Sequence, residues 1–384
     1  MILTASLPFV AFVVWLLAVP MEGFLLTRLG ADNAILFFLV PHVITLAVIG
    51  GALPRRMLPP LAAVGGAAAV GSTLLIAQAP AGVPWFLSGA GVGSAFVCVK
   101  AGSILKRSPS VAASAAVGLV AANALLFVFM AVPVPHSVKF PAAAALLLVP
   151  ILARSGVQDE ADGESNLAPF LPFVFVFQIV SGLMYGALFQ DYAAAAFLPG
   201  IELVFYVAAV MAGLVLLHRR REGLLALAIV MAMFAFSLVL IDGPASVNVA
   251  LFAMQAAAGF LDLYLLALLL AQRDTCRAFG IGLAVTCAGI AAGKTASLLI
   301  GDAPIWSWPW RISSSPRRFL CSIWSCGASG PRMRRPSRPW GTWQGWPKRG
   351  PAKVGRLLSS CFRRACASVS PTRKNRSSLV SSGE

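Results

Sequence analysis

Val111–Val132 reads VAASAAVGLVAANALLFVFMAV, an apolar run without a charged residue. A bilayer core about 30 Å thick takes roughly 20 apolar residues as helix, so this run is long enough to cross one. Taken alone, such a run also fits a helix buried in a soluble protein. Its surroundings remove that alternative. Lys106 and Arg107 precede it, and comparable runs recur along the chain with loops of a few residues between them. Eleven candidate spans result: 6–26, 34–53, 61–79, 85–105, 111–132, 138–153, 167–189, 192–217, 224–241, 247–270 and 280–300. The sixth is the weakest, because Pro141 and Pro150 bracket a short Ala/Leu stretch. No cleavable signal peptide is expected, since the first run is long and lacks a small-residue cleavage site followed by polar sequence.

Composition agrees and excludes an ordinary soluble enzyme. Of 384 residues, 59% are hydrophobic and 11% charged, against about half and a quarter in soluble domains. The net charge of +16 is unevenly distributed. Residues 1–302 carry 14 Lys/Arg against 13 Asp/Glu, whereas residues 303–384 carry 16 against Glu384 alone. The basic character belongs to the tail.

Loop charges set an expected orientation. The even-numbered loops hold Arg55, Arg56, Lys106, Arg107, Arg154, Arg219, Arg220, Arg221, Arg273 and Arg277, while the odd-numbered loops hold only Arg28 and Lys139. By the positive-inside rule the N-terminus is cytoplasmic. The longest connection on that side, Arg154–Asn166, reads RSGVQDEADGESN and is expected to be a flexible linker. The fold class is therefore an all-α membrane protein, a polytopic bundle of about eleven spans in a 6 + 5 arrangement. Residues 1–153 form a six-helix half, 154–166 the linker, 167–302 a five-span half and 303–384 a disordered basic tail. A twelfth span is due near residue 303 and is absent from the sequence.

This plan resembles the major facilitator superfamily over residues 1–302. The superfamily's best motif lies in the loop after the second helix, a Gly, then Asp-Arg, then a basic pair. Here that loop runs Gly50, Gly51, Ala52, Leu53, Pro54, Arg55, Arg56, with the Gly and the basic pair but without the Asp. The departure argues against ordinary proton-coupled rocking transport. A narrower resemblance lies in the run from Gly259, GFLDLYLLALLLAQRDTCRAFGIGLAVTCAGIAAG, with Pro41–Val43 beside it. It is similar to bacterial LuxR-type regulators in which a twelve-helix facilitator-like module precedes a cytoplasmic helix-turn-helix domain. The resemblance implies a sensor in the bacterial cytoplasmic membrane that binds a small ligand and controls transcription. DNA would be a partner only through a C-terminal domain missing from this chain. The alternative is a secondary transporter of a small solute.

Residues 303–384 change character abruptly. They hold seven of the nine Trp, four of the seven Cys and sixteen Ser, with Arg and Pro throughout. No helical or strand period persists there, and no core is expected. Three readings compete: phosphate binding to nucleic acid or anionic lipid, a zinc site at Cys321/Cys326 and Cys361/Cys366, and translation of the wrong frame. The third is favoured. GC-rich coding sequence read out of frame yields this inventory. Back-translated and read one nucleotide later, Pro371–Gly383 permits P-R-E-[KR]-[IT]-V-L-L-L-x-x-[QR]-G, which resembles the opening of a LuxR-type helix-turn-helix domain. The zinc reading is disfavoured by wide Cys spacing and no surrounding fold.

Ionisable groups inside a bilayer are costly and therefore functional candidates. Glu22, His42, Glu202, Asp262 and Lys294 are the candidate ligand-binding residues, with His42 a possible proton-sensitive member. At about 1.5 Å per residue, Lys294 lies roughly 6 Å outside the midpoint of its span, Glu202 roughly 4 Å outside and Asp262 roughly 5 Å inside. Glu22, Glu202 and Lys294 are thus expected around one central cavity, with a packing ion pair as the competing role. Lys100, five residues from the end of its span, is expected to snorkel to the surface. AGIAAGKT at Ala288–Thr295 lacks the first Gly of a phosphate loop, and Gly289 and Gly293 read instead as a GxxxG packing pair. Cys98, Cys276 and Cys287 look isolated and inert. No catalytic triad, metal cluster or cofactor motif is present, so no enzyme, metal or cofactor is expected.

Overall fold

A computed structural model describes residues 2–21, 34–154, 167, 170–197, 200–219, 221–239, 241 and 243–300. All of these belong to one compact unit, Met1–Pro316. The predicted linker (except Arg154) and the whole predicted tail lie outside the described residues, as does Glu22.

Among the described residues there are eleven helices, one of them broken, and no strand. In chain order they are α1 (Ile2–Leu16), α2 (Ile35–Ala52), α3 (Leu58–Gln78), α4 (Val83–Leu105), α5 (Val111–Ala131), α6 with α7 (His136–Leu146 and Leu148–Leu152, one broken span), α8 (Leu171–Ala195), α9 (Glu202–Arg219), α10 (Arg221–Val239), α11 (Pro244–Ala271) and α12 (Thr275–Ile300). Seven of these spans are both long and apolar enough to cross a bilayer at full length. The chain is an all-α polytopic membrane protein.

Prolines explain the irregular places. A helical proline lacks the N–H that would bond the carbonyl four residues back, and its ring clashes with that carbonyl. Pro150 opposes Leu146, where α6 stops. Pro20 opposes Leu16, where α1 gives way to a π turn over Leu17–Met21. Pro41 sits inside α2 and leaves the Phe37 carbonyl free, and Ser88 of α4 donates its hydroxyl there at 3.0 Å. In hydrocarbon every such group needs an internal partner.

Two lysines serve the same need. Lys139 donates Nζ to the Met130 carbonyl at the end of α5, at 2.8 Å. Lys100 donates Nζ to the Ile151 carbonyl at the end of α7, at 2.7 Å, and is only 4% exposed. The expectation that Lys100 snorkels to the surface is therefore corrected. Helix ends inside a bundle leave carbonyls without intrahelical partners, and the Ile151 carbonyl, one residue from the end of α7, takes the ammonium.

In the first half, α4 packs against α2 and α3, α1 packs against α4, α5, α6 and α7, and α3 also meets α6. In the second, α11 packs against α8, α9 and α10, and α8 packs against α12. The halves join where α2 and α4 meet α12 and where α5 meets α9 and α11. The α2–α12 crossing depends on paired glycines. A Cβ on Gly280 would stand 2.5 Å from the Gly50 nitrogen and 2.8 Å from the Leu46 carbonyl oxygen. Any larger residue at Gly280 must part the two helices.

One predicted boundary is wrong. The eighth span was expected from residue 192, but α8 continues to Ala195 and α9 begins only at Glu202. Gln190 and Asp191 read as a loop by polarity, yet they lie within α8. The chain turns near Gly200, whose φ of +92° suits glycine alone.

Candidate functional site

The first half holds His42 near the middle of α2, 2% exposed. Its Nδ1 lies 2.9 Å from the Gly91 carbonyl oxygen and 3.0 Å from Ser94 Oγ, both on α4. A carbonyl only accepts, so Nδ1 carries the hydrogen. The ring stacks on Phe38, centroids 5.0 Å apart. Van der Waals contact and one shared hydrogen-bond centre thus bind α2 to α4. Nε2 makes no hydrogen bond with a described residue.

The second half pairs each of its two candidate acids with a tyrosine. Tyr192 of α8 donates its hydroxyl to Glu202 Oε2 at 2.8 Å. Tyr206 of α9 donates to Asp262 Oδ2 of α11 at 3.0 Å. Both tyrosines are buried, at 3% and 5% exposure. With α9 starting at its first residue, Glu202 lies about 13 Å from the helix midpoint rather than near it, at about 1.5 Å per residue. On the same scale Lys294 lies about 10 Å from the midpoint of α12 toward the same face.

Lys294 is half-buried and forms no ion pair or hydrogen bond with a described residue. It continues the stripe Leu283, Cys287, Ile290 and Ala291, which packs against the core of the first half. Lys294 and Glu202 do not form an ion pair, and Glu22 lies outside the described residues. Beneath Lys294, Gly289 and Gly293 lie against α8. A Cβ on Gly289 would come 2.6 Å from Gln178 Cβ, and one on Gly293 would come 2.6 Å from the Ile179 carbonyl oxygen.

An open apolar groove of about 510 Å³ runs between α2, α8 and α12, lined by Val43, Leu171, Pro172, Phe175, Ala284, Val285 and Ala288. None of the candidate residues lines it. Its chemistry suits an apolar or lipid-like moiety rather than an ion.

The densest polar chemistry between the halves lies instead at the α11–α12 connection. Arg55, in the loop after α2, holds Asp274 with Nη2 2.8 Å from Oδ2. Asp274 also caps α12, accepting the Arg277 amide on Oδ1 at 2.9 Å. Lys106, just past α4, donates Nζ to the Gln272 and Arg273 carbonyl oxygens, at 2.5 and 2.9 Å. Burial alone would raise the Asp274 pKa. The Arg277 amide and the Arg55 guanidinium, with the charges of Arg55 and Arg277, outweigh it and hold the carboxyl below its usual value. Two first-half cations thus grip one second-half loop.

Sequence reasoning singled out neither Asp274 nor Lys106 as a site residue. It also read the cysteines as isolated, whereas Cys98 of α4 and Cys287 of α12 share one core cluster across the seam. Among the described residues no group of His, Cys, Asp and Glu is arranged to hold a metal ion. No protein-family model and no curated protein sequence matches the chain.

Proposed function

We propose that this protein is the membrane half of a small-ligand sensor of the LuxR-regulator type, in the bacterial cytoplasmic membrane with its N-terminus inside. A ligand bound between the halves changes how they meet. The change is passed to the face carrying Arg55, Lys106 and Asp274, which the positive-inside rule makes cytoplasmic. In a complete regulator the DNA-binding domain would hang from that side. The observation that carries this reading is the two-cation grip on the α11–α12 connection. A ligand shifts such an equilibrium only by its difference in affinity for the two arrangements, and a few exposed polar contacts can be reset by a modest difference.

The proposal includes the tail: residues 303–384 are read as out-of-frame translation. The gene with its frame restored after codon 302 is the test. Transcription of its reporter should change with some fraction of spent growth medium, and the change should vanish in Asp274→Ala at equal protein level. A flat reporter alongside solute accumulation in membrane vesicles would reject the sensor in favour of a secondary transporter. The transporter reading rests on the same two-half arrangement, and nothing else here favours it.

A further inference from the structure

The groove between α2, α8 and α12 continues beyond its own lining toward the face of Asp274. On α12, Arg277, Ile281, Ala284 and Ala288 recur at i, i+4, i+7 and i+11, the spacing of one helix face. On α2, Val43, Ala47 and Gly51 follow one another at successive turns, and Ala47 and Gly51 are exposed. A Cβ on Gly51 would meet nothing within 4 Å. The third wall is shorter. A Cβ on Gly289 would come 2.7 Å from the Phe175 carbonyl oxygen, and α8 starts only one turn before Phe175, at Leu171. Small residues on α2 and α12 thus extend the groove as a trough that ends at Arg277.

Bulk lipid reaches any exposed apolar face, so an apolar lining by itself decides nothing. The charge at the end of the trough does. Arg55, Arg56, Lys106, Arg273 and Arg277 gather around Asp274, an excess of positive charge. The Arg56 and Arg277 side chains are exposed, and neither guanidinium hydrogen-bonds a described residue. At about 1.5 Å per residue, Arg277 lies about 10 Å along α12 from Ala284 and about 16 Å from Ala288. One leaflet of a bilayer core about 30 Å thick is about 15 Å deep, the reach of a single acyl chain. The groove volume of about 510 Å³ falls within the range of sites that enclose a small molecule, roughly 300–1,000 Å³.

We infer that the groove is the binding site of a long-chain fatty acid, with the chain between α2, α8 and α12 and the carboxylate at Arg277. The volume suits one chain, whereas a phospholipid brings two. The bound carboxylate meets the same cations as Asp274, so occupancy competes with the contact that joins the halves. That regulatory consequence rests on the sensing role proposed above. Binding itself does not, and is measured without a reporter, so failure of one leaves the other standing.

The test uses the full chain in nanodiscs of zwitterionic phosphatidylcholine and a palmitic acid analogue with a mid-chain diazirine. After irradiation, peptides spanning Leu171–Phe175 and Ala284–Ala288 should label saturably, and palmitate should compete. The peptide with Val64, 70% exposed on α3, should label in proportion to probe without saturating. Arg277→Gln should raise the half-saturating probe concentration about fivefold, the worth of one cation near a membrane surface, and Arg277→Lys should restore it. Ala288→Phe fills the groove and should abolish saturable labelling. Should that variant fail to fold, the exposed Arg277 pair decides alone. Labelling of the groove peptides that does not saturate, or an Arg277→Gln midpoint equal to wild type, would overturn the inference. So would equal competition by uncharged methyl palmitate, or competition by phosphatidylglycerol as strong as that by palmitate.

Discussion

Arg55 and Asp274 lie in different halves, yet Nη2 of one is 2.8 Å from Oδ2 of the other, and the same carboxylate caps α12. The two roles separate by substitution. Asp274→Asn keeps a capping oxygen and loses the ion pair, which at this exposure is worth at most about 1 kcal/mol. Asp274→Ala loses the cap as well, at a further cost of about 1 kcal/mol. Thermal melting in detergent should therefore rank wild type, then Asn, then Ala.

The pH dependence of that difference has a definite sign. A carboxyl whose folded pKa is depressed contributes stability above its unfolded value, 3.8. The contribution disappears as pH falls below 3.8 through the lower folded value. The melting difference between wild type and Asp274→Asn should be flat from about pH 5 to 8 and close below about pH 4. A difference that opens on acidification would contradict the assignment.

Lys294 has no described partner, so Lys294→Met removes a half-buried charge from an apolar span without orphaning an anion. Insertion scales put an unpaired charge near a span centre at about 2.5–3.5 kcal/mol, and less toward its end. Expression and melting temperature should hold or rise. A drop would show that Lys294 is a packing partner, and unchanged stability with a lost reporter response would mark it as a ligand contact.

Tyr206→Phe leaves the half-buried Asp262 without its donor, and hydrogen bonds to charged groups are worth about 1.5–3 kcal/mol. The double variant Tyr206→Phe/Asp262→Leu removes both ends and should recover much of that loss, because an orphaned carboxylate costs more than an absent one. Melting of the two variants side by side checks this. Equal losses would mean the pair is not coupled.

Gly293→Val sets a side chain against the Ile179 carbonyl and Gly182 of α8. Overpacking of this kind costs about 1–3 kcal/mol. Gly51→Val, with open space around its Cβ position, is the control and should be close to neutral.

Span count and helix type were legible because apolar runs of bilayer length admit little else. The break at Leu147 was legible in part, since Pro141 and Pro150 flagged the sixth span as irregular. The α8–α9 boundary was not. Polarity at Gln190–Asp191 mimicked a loop, whereas the actual turn uses a positive-φ glycine inside an apolar stretch. The site was least legible because its bonds are long-range. The acid that meets Arg55 is Asp274, which arrives from the other half. Lys100 likewise looked like a snorkelling residue until its partner, a carbonyl on a broken helix far along the chain, was in view.

The arrangement of two halves with the Arg/Lys-rich even-numbered loops on one face is tested most directly by sidedness. Single cysteines at Met57, Ser110, Arg154 and Arg273, and at Val134, Phe197 and Ile241, can be labelled in intact cells with a membrane-impermeant maleimide. The first four should be protected until the membrane is permeabilised, and the last three should label at once. Labelling of Met57→Cys and Arg273→Cys from opposite sides would contradict the account, because Arg55 and Asp274 could then not meet.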